Sequence, residues 1–364
     1  MKNQRKKGTG TITRTKNGRF KGTIGVTSSL DNKRHRISKT FDTLEEVQDF
    51  FKEVTERNID FFSPTSVSEY WEHYLELKAN VYRASTLAGC INFYEKHVKN
   101  SVLVKTKFYE LDATIINRFF LNLSTKGYAS STLTRWRKNF KSILDMAVYE
   151  GYLKSNPMRS QRVLKKVQGK PPRPITPFTK QEVRNLLSPK NLSKIPLVHQ
   201  TYILLAFLTG ARPQEILALE DTDIRDDGAV SYTKSIGYKG KLQTMMKTPY
   251  SVRIVPLPEK YFKIIQDNKK ALPPKLFRSD KSAYGYLSKD NVGAVFKKYV
   301  FEVLGTTNHR LYDTRHTYAT LLITVDKVDV KTVSRLLGHS QVETTLKYYT
   351  HVSTASSCHT VLHV

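Results

Sequence analysis

Polar and apolar residues alternate through "GTITRT", "NGRFKGTIGVT" and "HRISKTF", the period of two that a strand with one buried face requires. Asn17-Gly18 opens the second of these as a hairpin turn. The period then lengthens. In "DTLEEVQDFFKEVTERNID" (42–60), Val47, Phe50, Phe51 and Val54 share one helical face, and Thr43 and Glu46 stand in capping-box spacing. Three strands and a helix are expected over residues 1–58.

From Ser63 to about Lys170 the spacing is helical throughout. "SVSEYWEHYLEL" is amphipathic, "ASTLAGCINFYEKHV" is expected to start on a Ser85 cap, and "DATIINRFFLNL" follows. In "SSTLTRWRKNFKSILDMAVYEGYLKSNPM", Leu133, Trp136, Phe140, Leu144 and Ala147 step along one face, leaving Arg135, Arg137, Lys138 and Lys141 exposed. A helical bundle is expected over 63–167. "QGKPPRPITPF" (168–178) is Pro-rich and extended, as a linker would be. Beyond it, Thr179 and Glu182 cap a new helix, and the segment 179–364 mixes helices with a hairpin, "AVSYTKS…SVRIVPL". The whole reads as a multidomain, mostly α protein with small β elements: a three-stranded sheet plus helix, a central bundle and a mixed α+β domain.

Charge changes this picture from architecture to partner. Lys and Arg number 60 against 32 acids, a formal +28, and residues 1–40 hold twelve bases with Asp31 as their one acid. Solubility needs only about 2–8 net charges on a small domain. An excess this large attracts a polyanion, and nucleic acid fits better than a membrane, because the bases are scattered through folded segments. Arg14, Lys16, Arg19, Lys21, Arg34 and Arg36 lie in the strand module, where a β-ribbon can enter a major groove. Arg135, Arg137, Lys138 and Lys141 could grip phosphates along a duplex, although a charged helix face is more often merely solvated. No apolar run approaches the roughly 20 residues of a membrane span. Cys90 and Cys358 have no metal-ligand spacing, so neither zinc nor a disulfide framework is expected, and a reducing, cytoplasmic, nucleoid-associated location is.

Three short motifs carry candidate chemistry. In "LTGARPQEILALE", Pro213 suits a first helical turn and so places Arg212 at a helix N-terminus, where backbone N–H groups favour an anion. In "NHRLYDTRHTYATLL", Arg315 and His316 head an apolar helix, an expensive place for charge unless it is paired. In "LLGHS", Gly338 ends the helical face of Val330, Val333, Leu336 and Leu337, and His339 follows. Two guanidiniums, a proton donor and a nucleophile are what phosphoryl transfer to a side chain needs.

In this order the motifs resemble the tyrosine recombinase (phage integrase) family. "TGARPQEILAL" resembles its first arginine box, "YDTRHTYATLL" its second, and "LLGHSQVETTLKYYTHV" its final His and Tyr segment. "SSTLTRWRKNFKSILDMAVYEGYLKSNPM" is similar to the end of a core-binding domain, and residues 1–58 to the arm-binding domain of phage and conjugative-transposon integrases. The resemblance implies an arm-type DNA-binding domain at 1–58, a core-binding domain at 63–167 and a catalytic domain at 179–364. It also implies a site-specific recombinase that integrates or excises a mobile element through a 3′-phosphotyrosyl intermediate, with no cofactor. Its partners would be double-stranded DNA at core and arm-type sites, a homotetramer on that DNA, and accessory bending or excision factors.

The resemblance assigns Arg212 and Arg315 to the phosphate, His339 as a donor to it, and Glu215 as the partner that orients Arg212. The general acid is a hairpin lysine. "MKTPYSVRIVPL" resembles the family's "KT…R…PL" strand and selects Lys247, leaving Lys239 and Lys241 of "GYKGK" to contact backbone phosphate. Tyr312 stands where the second box usually has His; a phenol donates a hydrogen bond but is a poor base near neutral pH. Counting nine residues from His339, as in Xer- and lambda-like members, selects Tyr348 as nucleophile. Counting ten, as in conjugative-transposon members, selects Tyr349, the preferred assignment. The competing functions are a catalytically weakened DNA-binding regulator of the same fold and a type IB topoisomerase-like enzyme.

Overall fold

β1 (Thr11–Arg14), β2 (Phe20–Thr27) and β3 (Arg34–Phe41) form an antiparallel sheet in that order. Gly18, with φ at +76°, makes the turn between the first two. Ile24 and Val26 of β2 and Ile37 of β3 face inward, where Val47 and Phe50 of helix α1 (Leu44–Glu56) meet them. The sheet and helix approach closely: a Cβ on Gly22 would lie 2.7 Å from Val47 Cγ1. α1 starts as its spacing predicts, with Glu46 Oε2 accepting from the Thr43 N–H at 3.1 Å and the Glu46 N–H donating back to Thr43 Oγ1 at 3.2 Å.

This computed structural model describes residues 10–27, 34–56, 65–246 and 248–346, which divide into two compact units, one ending at Arg173 and the other beginning at Pro174. Besides α1, the α-helices of the first unit are α2 (Val67–Lys78), α3 (Ala84–Phe93), α4 (Ala113–Thr125) and α5 (Ser130–Tyr149), with a π-helical turn at Tyr94–Val98. Ser66 and Asp112 cap α2 and α4. Ser85 does not cap α3: the chain leaves extended geometry at Arg83, whose carbonyl accepts the first helical bonds from Thr86 and Leu87, so Ser85 already lies within the first turn. Leu133, Trp136, Phe140, Leu144 and Ala147 are buried, and the aromatic core stacks Trp71 on Phe140 and Phe93 on Trp136. Tyr109 packs against the cluster formed by β2, β3 and α1, within the same unit.

The exposed part of the Pro-rich connection is shorter than its composition suggests. Lys170 pairs with Ala129, and the Gly169 N–H donates to Ser130 Oγ. At the other end Phe178 is buried, its N–H bonded to Thr317 Oγ1 at 2.9 Å. Within this connection the continuously exposed run is 170–176.

The second unit contains α6 (Lys180–Leu186), α7 (Pro189–Leu192), α8 (Leu197–Thr209) and α9 (Pro213–Leu217), then β4 (Ala229–Tyr232), β5 (Ser235–Ile236), β6 (Leu242–Gln243) and β7 (Arg253–Pro256). α10 (Glu259–Ala271), α11 (Lys289–Leu304), α12 (Asp313–Thr324) and α13 (Val330–Leu337) follow, with a helical turn at 342–346. α8 is buried on nearly every face and forms the centre of this core. β4 pairs antiparallel with β7, Tyr232 opposite Arg253, while β5 and β6 form a second hairpin within the connection. Among the described residues no helix is long and apolar enough to cross a membrane.

Candidate active site

Helix ends leave carbonyls without intrahelical partners, and cations are favoured there. The site is built on that fact. α8 ends at Gly210 in the left-handed region, φ +59°, and α13 ends at Gly338, φ +68°. Arg315 is almost fully buried near the start of α12; its Nη1 donates to the Gly210 carbonyl at 2.8 Å and its Nη2 to the Leu337 carbonyl at 2.7 Å. Arg212 precedes Pro213 at the head of α9, as the sequence predicts, and its Nη2 reaches the Gly338 carbonyl at 3.2 Å. A third guanidinium completes the set: Arg253 of β7 donates from Nε to the Leu336 carbonyl at 2.6 Å. Three arginines from three elements thus dock on three successive carbonyls at the end of one helix.

Glu215 ties two of them together. Its Oε1 accepts from Arg212 Nη1 at 2.7 Å and its Oε2 from Arg253 Nη2 at 2.8 Å and from the Arg212 N–H at 2.8 Å. Burial pushes this carboxyl up, but Arg253 and then Arg212 outweigh it, so it stays below the usual carboxylate range and remains ionised. The Arg253 guanidinium also lies 4.8 Å over the Tyr232 ring and donates to the Ser251 carbonyl. Burial, with the like charges of Arg212 and Arg253, brings Arg315 down to about 10, still a cation at neutral pH. Its Nε has no hydrogen-bond partner among the described residues.

His339 follows Gly338 and bonds through Nδ1 to Thr345 Oγ1 at 2.8 Å. Burial, and then the three arginines, push its imidazole down to about 3, so the ring is neutral at physiological pH. Tyr312 is partly exposed immediately before α12, its ring edge-on to buried His316 at 5.2 Å. Three guanidiniums, those of Arg253 and Arg315 buried and that of Arg212 half-buried, with a single buried carboxylate keep a net positive charge in a largely desolvated setting, which suits an oxyanion. His309 has a different role, stacking on Phe178 at 3.8 Å.

The structure therefore brings Arg212, Arg315 and His339 together. Lys247, Tyr348 and Tyr349 lie outside the described residues. Lys239 and Lys241 are exposed on the separate β5–β6 hairpin, Lys239 at φ +57°. In the first unit, Arg14, Lys16, Arg19, Lys21, Arg34 and Arg36 are exposed, Arg19 paired with Asp42 at 2.6 Å. Arg135 and Lys138 are exposed and Lys141 is half-buried. Arg137 departs from the expected exposure: it packs over the Phe120 ring at 5.0 Å and donates to the Leu164 carbonyl, because its position turns toward α4 rather than outward. Arg253 is absent from the sequence-based site, although the sequence held a signal for it. Arg253 and Val255 share the inward phase of a strand whose Val252 and Ile254 face out, and a charge in that phase needs a partner.

The site and fold together define a mixed α+β domain that presents clustered arginines and a histidine to an anion. Two family descriptions match this chain: "Phage integrase family" over residues 177–356 and "Phage integrase SAM-like domain" over 46–163. The chain belongs to the phage integrase family, the tyrosine recombinases, enzymes that cleave and rejoin DNA. It is similar to the XerC-like tyrosine recombinase of Caldanaerobacter subterraneus subsp. tengcongensis, 27% identical over 81% of each chain. It is also similar to the ICEBs1 integrase of Bacillus subtilis, 29% identical over 81% of this chain and 80% of that one. Its fold resembles that of the Tn1549 transposon integrase, solved in complex with transposon right end DNA, with a TM-score of 0.63 and 20% identity over 80% of this chain and 98% of that one.

Proposed function

We propose that this chain is the integrase of a mobile genetic element, cutting and rejoining double-stranded DNA at core sites while its strand module holds arm-type sites. The observation that carries the reading is the docking of Arg212, Arg253 and Arg315 on the carbonyls of Leu336–Gly338, next to His339. Arg212 and Arg315 take the nonbridging oxygens of the scissile phosphate, and His339 donates a hydrogen bond to the same group. The Tyr349 oxygen attacks phosphorus as its phenol proton passes to water; the P–O5′ bond breaks; Lys247 gives a proton to the leaving 5′ oxygen and regains one from solvent. The product is a 3′-phosphotyrosyl link and a free 5′-hydroxyl, and the reverse attack by a partner strand's 5′-hydroxyl rejoins DNA without an external energy source. Tyr312 supplies a hydrogen bond rather than a base. Exposed Lys21, Arg34 and Arg36 on the outer sheet face, and Arg135 and Lys138 on α5, take duplex phosphates, with a tetramer as the working assembly and accessory bending or excision factors assisting it.

The test is covalent trapping on a duplex that spans the element's joined ends, nicked so that the 5′-hydroxyl fragment diffuses away. Wild-type protein yields an SDS-resistant adduct, Tyr349→Phe yields none and Tyr348→Phe still yields it. The reverse pattern moves the nucleophile to Tyr348. Wild-type binding without any adduct overturns the enzymatic reading in favour of a DNA-binding regulator.

A further inference from the structure

We propose that Arg253 is a positioning residue for the cleavage step: acting through Glu215, it holds the Arg212 guanidinium where the scissile phosphate is met. This rests on the reading of Arg212 as a ligand of that phosphate. Arg253 is not itself placed to take it. All three of its side-chain nitrogens are committed to protein, Nε to the Leu336 carbonyl at 2.6 Å, Nη1 to the Ser251 carbonyl at 3.0 Å and Nη2 to Glu215 Oε2 at 2.8 Å. Its side chain is 5% exposed against 32% for Arg212, so of the two it is Arg212 that an incoming anion can reach.

One carboxylate links the pair. Glu215 Oε1 accepts from Arg212 Nη1 at 2.7 Å, while Oε2 is shared by Arg253 Nη2 and the Arg212 N–H, each at 2.8 Å. Oε2 therefore fixes where Arg212 begins α9, and Oε1 fixes where its side chain ends. The contact of Arg212 Nη2 with the Gly338 carbonyl is longer, 3.2 Å, and goes to a neutral oxygen, so the ionic contact is the stronger hold.

Glu215 can do this only as an anion. The charged and titratable groups facing it are Arg212 at the head of its own helix, Arg253 of β7, Arg315 of α12 and Tyr232 of β4. Arg253 is the foremost influence opposing burial there. Without it, burial raises the carboxyl, and proton uptake turns the acceptor of Arg212 into a neutral acid. The Arg212 guanidinium, repelled by that of Arg315, then leaves its place. In a variant lacking the charge at 253, acidification thus has two opposite effects. Stability recovers because a poorly paired buried charge is gone, and cleavage fails because the anion that aims Arg212 is gone. A residue that only braced the fold would move both the same way.

The experiment measures single-turnover adduct formation by the full chain on the nicked duplex, at saturating DNA and a temperature where melting curves show each protein folded. Relative to wild type, Arg253→Met should be slower by about tenfold at about pH 8, and by about pH 5 the deficit should approach the roughly 10²–10³ lost with a whole oxyanion donor. Arg253→Lys keeps the charge, and its deficit should stay constant with pH. Adding Glu215→Gln to Arg253→Met should leave a slow rate whose deficit no longer varies with pH. Duplex affinity should match wild type throughout, since many other phosphate contacts set it. A deficit in Arg253→Met that is constant with pH, or that shrinks on acidification together with its loss of stability, overturns the proposal. So does an Arg253→Lys deficit that grows on acidification as that of Arg253→Met does. Should Arg253→Met fail to fold, Arg253→Gln, which keeps an N–H donor without the charge, is read in the same way. Wild type that binds the duplex and forms no adduct overturns the functional reading and this proposal together; an active wild type with a constant deficit overturns this proposal alone.

Discussion

Replacing Arg253 by methionine removes a guanidinium while keeping much of its apolar length. Three acceptors lose a donor at once: Glu215 Oε2 and the carbonyls of Leu336 and Ser251. Glu215 itself is buried, and Arg253 is the larger of the two influences that hold it ionised. Stripping one partner from a buried ion pair costs about 3–5 kcal/mol, because the other charge remains. In a domain of this size each kcal/mol moves the midpoint roughly 2–4 °C, so the carboxy-terminal unit should melt roughly 6–20 °C lower. The assay has an internal control: both tryptophans, Trp71 and Trp136, belong to the amino-terminal unit. Tryptophan fluorescence should keep its midpoint while far-UV circular dichroism acquires an earlier transition.

The pH dependence sharpens the test. In the wild type the Glu215 carboxyl is depressed, so its contribution is complete above the ordinary carboxylate range and is lost as pH falls through the folded value. In Arg253→Met, burial opposed chiefly by Arg212 raises that carboxyl, and protonation at low pH relieves the strain. The gap between the two proteins should therefore be widest near pH 7 and narrow toward pH 4. Adding Glu215→Gln to the Arg253→Met variant should recover part of the loss. A midpoint shift under about 2 °C, or a gap that widens on acidification, refutes the account of Glu215 as a buried charge that Arg253 holds.

Two further outcomes follow from the geometry. Gly338→Ala should destabilise the carboxy-terminal unit by about 1–3 kcal/mol, since φ is +68° and the new Cβ would lie 2.9 Å from the Tyr250 carbonyl oxygen and 3.2 Å from Arg253 Cδ; unchanged melting together with unchanged cleavage would show that this approach tolerates a methyl group. On the strand module, Arg34→Ala and Arg36→Ala should each lower the slope of log affinity against log salt on arm-type DNA by about 0.9. Slopes equal to wild type would take that sheet face out of the interface.

How much of this was legible beforehand depended on whether a feature was local. The strand alternation of Ile24 and Val26, the α1 and α6 capping boxes, and Pro213 setting Arg212 at a helix start depend on neighbours in sequence, and they appear as read. Ser85 failed because a cap depends on which residue leaves extended geometry, and Ser, two positions late, cannot report that. Arg137 failed because Phe120 and Leu164, which draw it inward, come from elsewhere in the chain. The site divides in the same way. Arg212, Arg315 and His339 sit in motifs whose order carries information. Arg253 acts through a partner 83 positions away, Leu336, and only the packing of α13 against β7 brings the two within reach.

The dock at the end of α13 also sets a clock for synthesis. Arg212 and the carbonyl it seeks on Gly338 are 126 residues apart, and Arg315 must meet Gly210 across 105. At about 5–20 residues per second, roughly 6–25 s pass between the first arginine leaving the peptidyl-transferase centre and the glycine that receives it. Throughout that interval the growing polypeptide carries its arginines with no place to assemble them. A ribosome that stalls before α13 releases a product able to attract DNA through charge, yet without the frame on which a phosphate could be held for cutting.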